Sequence, residues 1–94
     1  MSTKLDRRLN AFRPDLAEAA LKGQVEAERF TEGEPAHVVV PVVDIRPRPD
    51  LSAGIDSQVL FGETVRVLDR EEGWAWVKCD ADSYVGYVSD TSLA

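Results

Sequence analysis

The chain is expected to be mostly β, a small closed barrel or sandwich behind a short N-terminal helical leader. Two observations carry that expectation. Residues 38 to 94 hold nearly all the valine and every tryptophan and tyrosine, arranged as short apolar runs punctuated by turn residues. Residues 1 to 34 are instead charged and alanine-rich, with Pro14 and Gly23 bracketing one apolar-periodic stretch. At 94 residues there is room for one domain, which buries about two thirds of its unfolded surface.

The elements follow in order. Asp15 to Lys22 has Pro before its first turn, an acid in that turn, Lys at its end and Gly beyond, so a helix over about 15–22 is expected. So short a helix is marginal alone and must dock Leu16, Ala20 and Leu21 on the barrel flank. Val25 to Phe30 alternates and reads as a strand turning back through "TEGEPAH" into Val38 to Val43, although an extension of the helix past Gly23 fits as well. "HVVVPVVDIR" is too apolar to be exposed on both faces, and Pro41 calls for an edge or a bulge. "PRPDLSAGID" is a loop. Strands are then expected at 57–60, 64–68, 74–79 and 84–88, with turns at Phe61-Gly62, Glu72-Gly73 and Asp80 to Ser83. The leader spans residues 1–34 and the barrel residues 35–94.

Charge excludes whole classes of partner. A net charge of -6 argues against nucleic acid, whose affinity rests on Lys and Arg neutralising phosphates, and against an anionic membrane surface. The longest apolar run, Val38 to Val43, is far too short for a signal segment or a membrane span. With one cysteine and one histidine, neither an internal disulfide nor a four-ligand zinc site can be built from these residues. No cofactor is expected, and a reducing, cytoplasmic location fits.

Cys79 and His37 are the only nucleophile and base that could pair. Cys79 lies in "VKCDAD", where nearby carboxylates raise rather than lower a thiol pKa, so catalysis by this pair is disfavoured. The carboxylates show no calcium-loop spacing. Glu63 stands apart from them because it follows a Gly turn beside Phe61. Trp74, Trp76, Tyr84 and Tyr87 gather within one short region, serving either as core cover or as a binding surface. Trp74 and Trp76 are read as facing opposite sides, as are Tyr84 and Tyr87.

Taken together, "VVDIRPRPD", "SQVLFGETVRVLDREEGWAWVKC" and "DSYVGYVSDTSL" resemble the bacterial SH3-like (SH3b) domain. The matching anchors are Ile45-Arg46, Leu60 to Glu63, Gly73-Trp74, Gly86 to Val88 and Leu93. "LDRRLNAFRPDLAEAALKGQVEAERFTEGEPAHVVVPVVDIR" looks like the leader of NlpC-type cysteine peptidases that cut γ-D-glutamyl bonds in cell-wall peptides. Those peptidases carry a second domain with Cys-Ser-Gly and downstream histidines, absent from this sequence.

The resemblance therefore implies an SH3-like β-barrel that is not itself an enzyme, either cut from a longer peptidase or standing alone beside one. Its partners would be an NlpC-type catalytic domain and a murein stem peptide with a free N-terminus. It also implies that Glu63 receives the peptide ammonium, assisted by Tyr87 or Tyr84. By the family pattern, Trp74 joins Val43, Ile45, Val65, Val67, Val77, Val88 and Leu93 in the core. Trp76 then points outward, under the leader helix or a partner domain. A general protein-interaction module without peptide-end specificity is the alternative.

Overall fold

The computed structural model describes residues 5–94. Eight strands follow one another: β1 Leu16–Glu18, β2 Arg29–Thr31, β3 Glu34–His37, β4 Val42–Ile45, β5 Ser57–Leu60, β6 Thr64–Glu71, β7 Trp74–Cys79 and β8 Val85–Ser89. The protein is a small, mostly β fold. Antiparallel β3-β6-β7-β8 form the main sheet, and β4 pairs with β5 as a second ribbon. Arg46 and Tyr87 join the two, each donating its N–H to the other's carbonyl at 2.9 and 2.8 Å. At the other margin His37 and Ala94 exchange backbone bonds at 2.9 and 3.0 Å, so the last residue closes onto β3.

Alternation along these strands turns Val43, Ile45, Val59, Val65, Val67, Ala75, Val77, Cys79 and Val88 into one core. Leu93 packs at its edge. Trp74 is not part of it. Residues two apart on a strand share a face, so Ala75, Val77 and Cys79 point inward while Trp74 and Trp76 lie together on the outer side of β7. The expectation of opposite faces for the two indoles is thus corrected.

Trp76 nevertheless finds cover. It is 4% exposed in a second cluster with Leu68 and Val85 of the sheet and Ala11 and Leu16 of the N-terminal segment. That segment is not a helix. Arg13 N–H donates to Leu16 O and Glu18 N–H to Ala11 O, making a tight reversal, and β1 then pairs in parallel with β2. Only Ala19–Leu21 makes a single 3-10 turn. An eight-residue helix has little intrinsic stability, and burying Leu16, Ala17 and Glu18 together against the barrel overrides its propensity.

Two neighbouring expectations change as well. β2 pairs with β1 rather than folding back on Val38 to Val43. "EPAH", expected as turn, is strand β3, reached through Gly33 at φ +75°. Pro35 is tolerated because β3 lies at the edge of the main sheet. Pro41 does interrupt its apolar run: Val38 makes an isolated bridge to Leu93, and regular pairing resumes at Val42.

Candidate functional site

The four residues singled out in the sequence fall into two groups. Trp76 and Tyr87 are cross-strand partners on the outer face, with stacked rings 6.2 Å apart at their centroids. Arg13 lies over the Trp76 ring, its guanidinium carbon 4.4 Å from the ring centre. It donates from Nε and Nη2 to Asp15 at 2.9 and 2.8 Å, from Nη2 to Asp69 at 2.8 Å and from Nη1 to the Tyr87 hydroxyl at 3.2 Å. Burial works against this charge, but the bonds to Asp15, Tyr87 and Asp69 more than offset it and hold the guanidinium protonated. The same Arg13 bond lowers the Asp15 carboxyl.

Sequence reasoning missed Arg13 and Asp69 as site residues. A register shift between Val67 and Asp69 buries Leu68 and sets Asp69 opposite Trp76. Nothing local marks the irregularity, which depends on the pairing of β6 with β7, and Asp69 lies 56 residues from Arg13. Beside this cluster opens a cleft of about 430 Å³, walled by Trp74, Glu71, Glu72 and Pro49.

Glu63 and Tyr84 belong to a different end of the barrel. The turn Leu60 to Glu63 takes Gly62 at φ +84°, and Glu63 Oε2 accepts the Leu60 N–H at 2.6 Å. Further bonds from Phe61 N–H to Pro41 O, Gly62 N–H to Val38 O and Val38 N–H to Glu63 O fasten the turn to the preceding segment. Its apolar residues stay in solvent: Phe61 is 68% exposed, Leu60 56% and Val42, paired with Leu60, 45%. Glu63 also lines a small cavity of about 30 Å³ with Cys79 and Asp82. Tyr84 attaches to the same end, since Asp82 accepts its N–H at 3.0 Å and Tyr84 O accepts that of Cys79 at 2.8 Å.

Cys79 itself is buried, and its thiol is pushed up to about 12 by burial and then by Asp82, Glu63 and Asp80. It is therefore a packed core group with no thiolate to offer at neutral pH. Among the described residues no three His, Cys, Asp or Glu side chains are grouped to hold a metal ion.

Residues 45–93 match the protein family described as the bacterial dipeptidyl-peptidase Sh3 domain. Among solved structures, the fold is similar to that of NlpC2 from Trichomonas vaginalis, with a TM-score of 0.59 and 22% identity. The match covers 65% of this chain and 22% of that one, so the shared fold spans about a fifth of the larger protein. No curated protein matches the chain.

Proposed function

The chain belongs to the bacterial dipeptidyl-peptidase SH3 domain family, and from that premise we propose that it is the substrate-recognition and docking domain of an NlpC-type cysteine peptidase. In this reading it has no part in bond cleavage. It receives the free amino end of a murein stem peptide while the catalytic domain, in the same polypeptide or bound to it, attacks the γ-D-glutamyl amide. The peptides are released ones, turned over in the cytoplasm.

One observation carries the reading. Glu63 is a carboxylate fixed on a rigid turn at the border of an exposed apolar surface made by Val42, Leu60 and Phe61. A catalytic domain seated on that surface removes it from water and leaves Glu63 at the boundary between two domains, with Tyr84 on the same end of the barrel.

The chemistry suits an amine. A peptide α-amino group has a pKa near 8 and is largely protonated at neutral pH, so Glu63 makes a charge-assisted hydrogen bond with it. In a peptide still joined to glycan the same nitrogen is an amide. A desolvated carboxylate facing an amide loses its counter-charge, which costs roughly 3 kcal/mol.

The test is a heteronuclear NMR titration with L-Ala-γ-D-Glu-diaminopimelate and its N-acetylated form, followed by kinetics of the two-domain protein. Shifts at Glu63 and Tyr84 with the free amine alone support the reading. Equal discrimination by wild type and Glu63→Gln in the two-domain protein overturns it and leaves a general docking module.

A further inference from the structure

The cleft beside Trp76 lies apart from the Glu63 end and is not needed for amine recognition there. Its floor already carries a cation. Arg13 is seated on the Trp76 face with Asp69 and the Tyr87 hydroxyl around it, an arrangement of π-face and oxygens that stabilises positive charge. That charge is locally matched, because Asp15 and Asp69 both lie at 2.8 Å from Nη2.

The rest of the cleft has no such occupant. Trp74 presents a partly exposed indole on the same face of β7, two residues from Trp76. Glu71 and Glu72 line it from the β6–β7 turn, and neither makes an ion pair among the described residues. That turn is set by positive φ at Glu72 and Gly73, +51° and +84°, which holds both acids beside the indole. Pro49 forms the far wall, on a loop anchored by Arg46 Nη1 to the Leu51 and Ala53 carbonyls. With four lining carboxylates to one guanidinium, an anion is repelled and a cation attracted. A volume of about 430 Å³ is in the range of pockets that hold small groups.

We infer that this open half of the cleft is a second binding site, which takes the ammonium or guanidinium side chain of a basic peptide segment between the Trp74 indole and the Glu71 and Glu72 carboxylates. The site extends the surface on which Arg13 already rests, and it reads a side-chain cation rather than a chain terminus.

The test titrates the full chain, by heteronuclear NMR, with peptides blocked at both ends: Ac-Gly-Lys-Gly-NH2, Ac-Gly-Arg-Gly-NH2 and the first with its lysine acetylated. Blocking the amino end keeps the outcome independent of recognition at Glu63. Saturable shifts of the Trp74 indole N–H and of Glu71 to Gly73 are expected with the charged peptides. Acetylation should weaken binding at least about tenfold, which corresponds to about 1.4 kcal/mol. Glu71→Gln/Glu72→Gln should remove those shifts from an otherwise native spectrum, and Glu63→Gln should leave them. Response to only one charged peptide identifies which cation the site prefers. No saturable shift at Trp74, equal binding of the acetylated peptide, or undiminished binding by the double variant overturns the inference.

Discussion

Glu18 holds Lys78 across the join between the N-terminal segment and the barrel, with Nζ 3.0 and 3.1 Å from the two carboxylate oxygens. Glu18 is 8% exposed and sits on β1, whereas Lys78 projects from the outer face of β7. Removing one member of a largely buried pair strands the other. Glu18→Ala should therefore cost about 2 kcal/mol, below the fully buried case because Lys78 retains some water. Urea unfolding of the single variants and of Glu18→Ala/Lys78→Met measures the coupling. An unchanged midpoint for Glu18→Ala would mean that apolar contacts alone hold the segment.

Gly86→Ala should be more severe than its size suggests. A Cβ built at this position would lie 2.2 Å from Ile45 Cγ2 and 2.9 Å from Arg46 O, because β4 crosses directly over β8. The Arg46–Tyr87 backbone pair depends on that close approach. Relief requires β4 to move and the core valines with it, so a loss of about 2–3 kcal/mol is expected, read as a fall in melting temperature. Gly54→Ala, whose Cβ meets nothing, serves as the control.

Gly86 also shows which parts of the molecule were legible in the sequence. The glycine inside "YVGYV" was legible only as an anchor of the SH3b resemblance, and its close approach to Ile45 and Arg46 depends on β4, a strand distant in the chain. Strands β5 to β8 and their turns were readable because alternation and Gly turns are local signals, and six of the expected core residues are buried. The leader was misread because its conformation is decided elsewhere. Pro14, Asp15 and Gly23 spell a helix locally, yet the contacts of Leu16 with Trp76 and Glu18 with Lys78 span the chain. Trp74 was misassigned through a slip in strand parity. The sequence grouped Glu63, Tyr84, Tyr87 and Trp76 in one site, whereas the fold sets Trp76 and Tyr87 together on the outer face away from the Glu63 turn. The exposed apolar surface beside Glu63 emerges only when β4 meets β5.

Strand parity has an energetic consequence for the two tryptophans. Trp76 fills the second cluster and supports Arg13, so Trp76→Ala should cost about 3–5 kcal/mol and leave little folded chain at 37 °C. Trp74, partly exposed on the cleft wall, should lose only about 1 kcal/mol on the same substitution. Circular dichroism melts of both variants decide the matter. The reverse ranking would return Trp74 to the core.

Cys79 links the core to the pH response of the whole domain. Its folded thiol is pushed up to about 12, by burial first and then by Asp82, Glu63 and Asp80, whereas an unfolded cysteine titrates near 8.5. A raised folded value means that the contribution is complete below about pH 8.5 and is lost as pH climbs through the folded value. Across that window the unfolded chain releases a proton that the folded chain keeps. Stability should therefore fall between about pH 9 and 11, and the wild type should fall more steeply than Cys79→Ala. The difference between the two slopes isolates the thiol from the lysines and tyrosines that titrate alongside it. Iodoacetamide at pH 8 gives a second readout: the native chain should resist alkylation and the urea-unfolded chain should react. Rapid native-state labelling would instead mean that the Glu63 end opens readily enough to expose the β7 terminus.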